Sequence, residues 1–358
     1  MYRTWITLFI IVQAVLTAVQ YFTAKKPVKW PLRIAVLAAK ALCAVAFALL
    51  VMAGPVFLRP AQALLTVIYA VLLPDAVADL ITLLIWRRDR SFRHLRLASL
   101  ILGVAFFVYG TVNMQVVTPE YHSLASPKLS EDHRVIFVSD LHVGSSQSFD
   151  TTRSTIEKIG AEHPDYIILG GDITDDYTSK AEMEETYRLF GALGVPVFYI
   201  DGNHELVQYP EYNPNGIEYT REELLRAVER NGITVLRDEF MTLAPDLLLL
   251  GREDLADPSL RKAVEKPDTD SFFLIADHQP VSIREHRDLG ADLQLSGHTH
   301  AGQFFPLKLL YPLLTPTYGE YEYDNGTKLY VSAGASGWRF PFRTEAHCRF
   351  DVVDLIPS

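Results

Sequence analysis

The protein has 358 residues, of which 49% are hydrophobic, and a formal net charge of −10 at pH 7. Residues 1–118 carry many more Lys and Arg than acids, whereas residues 119–358 carry far more acids than bases. This asymmetry excludes one uniform globular domain. The acidity of residues 119–358 also argues against binding to the phosphate backbone of nucleic acids. With only Cys43 and Cys348 present, neither a disulfide framework nor a thiolate metal cluster is expected.

Four long apolar stretches precede residue 118, and each is long enough to cross a bilayer as a helix. They cover residues 2–22, 32–54, 61–86 and 97–117. A cleaved signal peptide would account for only the first of them. The pattern therefore predicts an integral, multi-pass membrane domain of four helices over residues 1–118.

The basic residues between these stretches predict an orientation. Lys and Arg cluster in residues 25–33 and 87–96, and the positive-inside rule places both loops in the cytoplasm. Four spans then put the acidic part on the outer side, so we expect a cell-membrane protein with an extracytoplasmic catalytic domain. Asp75 and Asp79 lie four residues apart in the third stretch, where they either act inside the membrane or sit near its surface.

After residue 131, short apolar runs alternate with helical segments and turn residues, which is typical of an α/β domain. Residues 119–130 contain Pro119, Pro127 and several Ser, and this composition predicts a linker before a soluble domain over 131–358. Strands are predicted over 134–139, 166–169, 195–200, 233–236, 247–250, 272–276, 292–295, 328–332 and 349–353, and helices over 151–162, 179–193 and 221–231.

Polar side chains follow five of the predicted strands. Open α/β sheets bind ligands at the carboxyl ends of their strands, and residues i and i+2 of an extended segment project to the same side. We therefore expect seven potential metal ligands to converge. They are Asp140, His142, Asp172, Asn203, His278, His298 and His300.

Oxygen and imidazole ligands without Cys suit Mn, Fe, Zn or Mg. Seven ligands are too many for one ion with an open position, but they fit two divalent metal ions that share a bridging carboxylate. Two such ions about 3.5 to 4 Å apart stabilise the attacking and leaving oxygens of phosphoryl hydrolysis.

The polar residues belong to short motifs that occur in a fixed order. These are Asp140-Leu141-His142, Gly171-Asp172, Gly202-Asn203-His204-Glu205, His278 and Gly297-His298-Thr299-His300. Together they resemble the calcineurin-like metallophosphoesterase superfamily, and the continuation through Ala301, Gly302 and Gln303 resembles its membrane-associated bacterial branch. The resemblance covers about residues 131–354 and implies a four-layered α/β/β/α domain with two mixed sheets.

The resemblance also implies a role for each ligand. One metal would be held by Asp140, His142, Asp172 and His300, and the other by Asp172, Asn203, His278 and His298, so that Asp172 bridges the two. The implied nucleophile is a hydroxide between the ions. His204 matches the family histidine that contacts the phosphate and protonates the leaving oxygen. Its partner would be Asp175 or Glu205, and we predict Asp175 as the second catalytic residue.

Several features outside the motifs leave two interpretations open. Arg339 and Arg343 follow a Gly-Ala-Ser-Gly turn and either contact a substrate phosphate or have a structural role. Residues 304–314 are almost entirely apolar and form either a flap that suits a lipid-linked substrate or ordinary core. Five histidines outside the motifs are predicted to be surface or core residues: His122, His133, His163, His286 and His347.

The combined prediction is a membrane-anchored dinuclear-metal phosphoesterase that hydrolyses a phosphate ester or pyrophosphate of a small molecule or lipid. An alternative is a cytoplasm-facing phosphodiesterase or pyrophosphatase of a nucleotide-sugar lipid, which requires the opposite orientation. A non-catalytic membrane receptor or scaffold would be expected to have lost ligands, and none is lost. The acidity of residues 119–358 argues against nucleic acid as a partner.

Overall fold

A computed structural model of the protein describes residues 92–208, 216–305, 307–310 and 315–358. The chain divides into two compact units, Met1–Gly110 and Thr111–Ser358. The second unit contains every strand described below and all seven predicted metal ligands.

The predicted four-helix transmembrane region is wrong where the structure tests it. Helix α1 (Phe92–Gln115) falls on the fourth apolar stretch. Among the residues that the structure describes, no helix combines the length and the apolar character needed to cross a membrane. The last turn of α1 enters the second unit instead, where Met114 is buried and the Asn113 amide donates a hydrogen bond to the Arg343 carbonyl (3.0 Å).

The other three predicted spans all lie before the first described residue, Phe92. Residues 2–22, 32–54 and 61–86 lie outside the described residues, and so do Asp75 and Asp79.

The second unit is built on two six-stranded mixed sheets. The strands of the first sheet are β1 (Val117–Ser126), β2 (His133–Val138), β3 (Tyr166–Gly170), β4 (Val197–Ile200), β5 (Thr234–Val235) and β12 (Cys348–Pro357). Their order is β1-β12-β2-β3-β4-β5. β2 to β5 are parallel, and β12 is antiparallel to β2 but parallel to β1.

The second sheet repeats this plan with a parallel centre. Its strands are β6 (Glu239–Ala244), β7 (Leu247–Gly251), β8 (Phe272–Ala276), β9 (Leu293–Ser296), β10 (Gly319–Glu322) and β11 (Lys328–Val331). Their order is β10-β11-β9-β8-β7-β6, with the two outer strands antiparallel to their neighbours. The prediction of two mixed sheets is confirmed.

Helices begin where the sequence supplies a hydrogen-bonding cap. α2 (Phe149–Ala161) is capped by Ser148, and α3 (Lys180–Gly191) starts with the reciprocal Ser179–Glu182 capping box. α5 (Arg221–Arg230) starts with the equivalent pair Thr220 and Glu223, so local hydrogen bonds define all three N-termini. The shorter helices are α4 (Asn203–Leu206), α6 (Ile283–Leu289) and α7 (Leu307–Leu310), and a single 3₁₀ turn covers His300–Gly302.

Apolar residues on both faces of the strands pack the sheets against the helices on one side and against each other on the other side. In β2, Ile136 and Val138 face the core under α2, α3 and α5, whereas Val135 and Phe137 face the second sheet. The outer side of the second sheet packs Phe273 and Ile275 against Leu289 of α6. Successive strand residues point to opposite faces, so both sheets are buried between helices in an α/β/β/α arrangement.

The segment predicted as a linker, 119–130, lies largely within β1 instead. β1 pairs in parallel with β12 from Val117 opposite Cys348 to Ser126 opposite Pro357. The Pro and Ser residues that suggested a linker are tolerated because β1 is an edge strand, where one side of the backbone needs no ladder partner.

His122 on β1 connects the edges of the two sheets. Its Nδ1 lies 2.8 Å from the Glu320 carboxylate of β10, and its Nε2 lies 3.0 Å from the Asp351 carboxylate of β12. Carboxylates accept hydrogen bonds, so both ring nitrogens are placed to donate. Burial alone would lower the pKa of His122, but its hydrogen bonds to Asp351 and Glu320 raise the pKa from 6.5 to about 9.

This raised pKa predicts a loss of stability at alkaline pH. His122 stabilises the fold fully below pH 6.5, and its contribution disappears as pH rises through about 9. With screening allowed for, we expect a loss of about 2 kcal/mol in the free energy of unfolding. The free energy of unfolding, measured with urea, should be lower above pH 9 than below pH 6.5 in the wild type. The His122→Gln variant should lack this difference. An equal drop in the two proteins would contradict the assignment.

Candidate metal centre

The seven predicted ligands lie in the loops at the carboxyl ends of five parallel strands. Asp140 and His142 follow β2, Asp172 follows β3, and Asn203 starts α4 directly after β4; in the second sheet, His278 follows β8, and His298 and His300 follow β9. Backbone hydrogen bonds hold the first loops together: the Asp140 N–H donates to Gly171 and the His142 N–H donates to Asp172, each at 3.0 Å.

Two glycines allow the loops to approach one another. A Cβ at Gly202 would lie 2.3 Å from Asp172 Oδ1, and a Cβ at Gly297 would lie 2.4 Å from Asp140 Oδ2. Any larger residue at these positions would displace the carboxylate of Asp172 or Asp140. This explains why the Asn203 and His298 motifs each begin with glycine.

The ligands form two groups that meet at one carboxylate. Asp140, His142 and His300 make up the first group, and Asp172, His278 and His298 make up the second. Asp172 Oδ2 lies 3.1 Å from His278 Nε2 and 3.8 Å from His142 Nε2, so it stands between the groups. This is the position that a bridging ligand of two ions would occupy.

Five of the ligands have backbone conformations in the left-handed region. The φ angles are 54° at Asp140, 41° at His142, 52° at Asp172, 70° at His298 and 51° at His300. Non-glycine residues rarely adopt positive φ, and such conformations concentrate at functional sites, where the surrounding structure stabilises them. The backbone is thus shaped to aim these side chains.

Hydrogen bonds at Nδ1 orient three of the imidazoles. His278 Nδ1 lies 2.9 Å from the Gly170 carbonyl, His300 Nδ1 lies 3.3 Å from the Ser336 carbonyl, and His142 Nδ1 lies 3.1 Å from Asp175 Oδ2. Carbonyl and carboxylate oxygens accept, so an N–H is assigned to Nδ1 of each ring, which in His142 and His300 leaves the Nε2 lone pair directed toward the centre. This tautomer is the one a metal ligand requires. In His278, Nε2 also faces a carboxylate, that of Asp172 at 3.1 Å.

The charge states suit metal binding. Burial lowers the pKa of His298 to about 4 and that of His300 to about 3, so both are neutral at physiological pH. Burial alone would raise the pKa of the Asp172 carboxyl, but the imidazoles of His278 and His204 hold it well below its usual range. Burial alone would lower the pKa of His278, but the Asp172 carboxylate raises it well above its usual range. The centre therefore combines the neutral imidazoles of His298 and His300 with an ionised Asp172 carboxylate, and a metal bound at His278 would displace its proton.

Asn203 provides a separate test of the fit to metal. Among the described residues, its buried Oδ1 atom has no hydrogen-bond partner. A buried amide oxygen without a partner is costly, and a hard divalent cation would satisfy it. The residues present therefore fit the two divalent ions that the sequence predicts, and the identity of the ions stays a prediction.

The acids around His204 differ from the predicted arrangement. Asp175, which we predicted as its partner, contacts His142, whereas the carboxylate of Asp176 lies 3.6 Å from His204 Nδ1. Glu205 is not the partner either, because its carboxylate accepts backbone N–H groups of Asp172, Thr174 and Gly202, each at 2.9 Å. Glu205 therefore joins the loops that follow β3 and β4. For Asp175 and Asp176, which are adjacent in the sequence, the sequence alone did not indicate which of the two would contact which histidine.

The structure assigns different environments to Arg343 and Arg339. Arg343 is fully buried and donates to the carbonyls of Ser336, His300, Ala333 and Ala346, so it does not contact substrate. Arg339 is half-buried, and its guanidinium carbon lies 4.9 Å from the Trp338 ring, which itself lies 5.4 Å from the His204 ring. Neither role could be read from the Gly-Ala-Ser-Gly turn that precedes them.

The apolar segment after the last motif is partly core and partly exposed. Phe304 packs against Phe340 and Phe342, with ring centroids 5.4 and 6.2 Å away. Phe305 is 39% exposed and Leu309 is 68% exposed, and residues 306 and 311–314 lie outside the described part. Away from the site, His133 and His286 are buried and hydrogen-bonded to Asp246 and Gln294, as expected for core histidines.

Comparisons with known proteins agree with this site. Residues 133–302 match the family described as Calcineurin-like phosphoesterase. An uncharacterized metallophosphoesterase of Helicobacter pylori is 31% identical over 259 residues, which cover 66% of this chain and 66% of the relative. One of Campylobacter jejuni is 29% identical over 77% of this chain and 75% of the relative. The chain thus spans just under two thirds of the length of the Helicobacter relative.

Two further relatives are more distant. A Danio rerio protein named "Transmembrane protein with metallophosphoesterase domain" is 28% identical over 74% of this chain and 63% of the relative. A solved dimetal phosphatase, also from Danio rerio, is 11% identical with a TM-score of 0.41, over 63% of this chain and 99% of that chain. At this score the structural resemblance supports no argument.

The two mixed sheets and the two ligand groups at their shared edge define a metallophosphoesterase, a class of metal-dependent phosphoester hydrolases. Residues 133–302 form a calcineurin-like phosphoesterase domain, and the Helicobacter and Campylobacter relatives that the chain matches are named metallophosphoesterases. The predicted family and class of enzyme are confirmed.

Proposed function

We propose that the chain hydrolyses a phosphate ester or pyrophosphate of a small molecule or lipid, with two divalent ions held by the seven ligands. The observation that carries this proposal is the position of Asp172, whose carboxylate lies against a ligand of each group. When bound, the ions would supply an activated water and neutralise charge on the phosphate. The chain itself holds and orients the reacting groups.

His204 is placed to act on the substrate. Its backbone N–H donates to Asp172 Oδ1 (2.9 Å), and its ring lies 5.2 Å from the His142 ring. Burial alone would lower the pKa of His204, but Asp172, Asp176 and Asp175 raise it to about 9. The Asp176 carboxylate, 3.6 Å from His204 Nδ1, would stabilise the protonated imidazole that a leaving oxygen needs.

Exposed apolar side chains support a substrate that carries an apolar group. Phe305 and Leu309 lie a few residues beyond the His298–His300 motif and expose 39% and 68% of their surface. Exposed aromatic and aliphatic side chains beside a polar site favour a ligand with both characters. The proposal is therefore extended to lipid-linked phosphates.

Hydrolysis by purified protein with Mn tests the proposal: phosphate release is measured with p-nitrophenyl phosphate and geranyl pyrophosphate, and p-nitrophenol release with bis-p-nitrophenyl phosphate. Asn203→Ala should lower kcat/KM about 100-fold, because it removes a neutral ligand and leaves the carboxylates in place. Asn325→Ala, in an exposed turn, is the matched control and should retain full activity.

Absence of both phosphate release and p-nitrophenol release with Mn, Fe, Zn and Mg would overturn the proposed function, and so would an Asn203→Ala variant as active as the wild type. Equal kcat/KM values for the aryl monoester and geranyl pyrophosphate would remove only the preference for apolar substrates.

A further inference from the structure

An aromatic side chain borders the metal centre on the side of His204. The Trp338 ring lies 5.4 Å from the His204 ring, centroid to centroid, and is half-buried. His204 is in turn 5.2 Å from the ligand His142. If His204 serves the leaving oxygen, as the proposed function has it, the group attached to that oxygen passes Trp338.

Arg339 adds a positive charge next to the Trp338 ring. Its guanidinium carbon lies 4.9 Å from the centroid of the Trp338 ring. Stacking on an aromatic face fixes the plane of a guanidinium and directs its N–H groups sideways, which is the geometry that recognises phosphate in a bidentate manner.

The backbone that carries both side chains is held to the metal loops. The buried Gln303 side chain accepts the Trp338 N–H (3.1 Å) and donates to the carbonyls of Phe340 and Phe342 (3.3 and 3.2 Å). The Arg339 N–H donates to Ser145 Oγ (3.3 Å), in the turn after His142. Trp338 and Arg339 are therefore positioned by the same loops that carry the metal ligands.

The backbone also shows local strain at this point. Arg339 has φ 65°, which a long unbranched side chain adopts rarely. Gly337 precedes the pair, and a Cβ there would lie 2.4 Å from Met114 Cε and 2.9 Å from Gln303 Nε2. Strained backbone held by close packing is typical of segments that present side chains to a ligand.

We propose that Trp338 and Arg339 form the leaving-group subsite and that the leaving group carries a second phosphate, so that the substrate is a phosphoanhydride. This inference rests on the proposed function. The water oxygen forms a bond to the terminal phosphorus, and the bridging P–O bond breaks with its electron pair on the leaving phosphate. His204 gives its proton to the leaving phosphate; one proton of the water stays on the released inorganic phosphate, and the other replaces the proton that His204 gave up. Arg339 neutralises the phosphate that leaves.

A matched pair of substrates tests this inference in the full chain with Mn. Geranyl pyrophosphate and geranyl monophosphate share their apolar part and differ only in the second phosphate. Arg339→Asn should lower kcat/KM for the pyrophosphate about 10- to 100-fold, mainly through KM, and change the value for the monophosphate less than about twofold. Asn tolerates positive φ, so the backbone should be preserved.

Two further variants complete the experiment. Arg339→Lys keeps the charge without the planar fork and should lose less activity on the pyrophosphate; it decides the question if Arg339→Asn fails to fold. Arg226→Asn, whose side chain is 74% exposed on α5, is the matched control and should behave as the wild type.

The outcomes separate the inference from the proposed function. A wild type that cleaves the monophosphate but not the pyrophosphate overturns the inference, as does an Arg339 variant that affects both substrates equally or neither. A wild type that releases phosphate from none of the substrates, p-nitrophenyl phosphate included, overturns the proposed function itself.

Discussion

Replacement of Asp172 by Asn is expected to lower kcat/KM about 1,000-fold and to reduce the metal content of the purified protein. Asp172 Oδ2 lies next to His278 of one ligand group and His142 of the other. An amide at this position keeps the size and the ability of Oδ1 to accept the His204 N–H, but it lacks the negative charge that two cations would share. The fold should therefore persist while the metal centre fails.

The measurement is metal stoichiometry by elemental analysis together with steady-state kinetics. Asp150→Asn is a suitable control because the Asp150 side chain is 91% exposed in the first turn of α2. A variant at Asp172 that retained both metal content and activity would show that this carboxylate does not join the two ligand groups functionally.

Replacement of Arg343 by Met is expected to lower the free energy of unfolding by about 3 kcal/mol and to weaken metal binding. The guanidinium donates to the Ser336 carbonyl (2.7 Å) and the His300 carbonyl (3.0 Å), and the Ser336 carbonyl also faces His300 Nδ1. Met fills a similar volume but donates no hydrogen bond, so these buried carbonyls would lose a partner.

Urea unfolding with and without bound metal measures both effects. Because Arg343 is fully buried, the loss of stability should also be present in metal-free protein, which distinguishes it from a loss of metal affinity alone. Arg226→Met is the control on an exposed surface. A change in KM with no change in unfolding would instead support contact with the substrate phosphate, the other interpretation that the sequence left open.

The ligand set was predictable because metal chemistry restricts residue type and strand geometry restricts position. Asp140 and His142 follow one buried strand, and His298 and His300 follow another, so short-range pattern alone placed each pair at a strand end. The order of the motifs then indicated one shared site. The structure brings six of these side chains into two groups, as that interpretation expects.

Contacts between loops could not be predicted in the same way. Asp175 and Asp176 are adjacent in the chain, yet one contacts His142 and the other lies near His204. Which acid meets which histidine depends on side-chain directions set by the turn after β3, and composition and spacing contain no information about those directions. Glu205 shows the same limit, since its partners are backbone N–H groups of two separate loops.

Apolar stretches and Pro-containing segments were the least informative parts of the sequence. The stretch 97–117 has the length of a membrane span, but its end is helix α1 packing Met114 into the second unit and then the start of β1. Hydropathy measures only the preference of a segment for an apolar environment, and in this stretch the core of the second unit meets that preference at Met114 and Val117.

The sequence by itself determined the α/β character of residues 131–358, the approximate places where α2, α3 and α5 begin, and the positions of the seven predicted ligands at the ends of strands. Those properties depend on local periodicity, capping and residue chemistry, which act over a few residues. Only the tertiary structure decided that β1 lies beside β12, that Asp172 stands between the ligand groups, and that Trp338 borders His204. These relations join residues up to about 230 positions apart, and packing and loop conformation establish them, not local propensity.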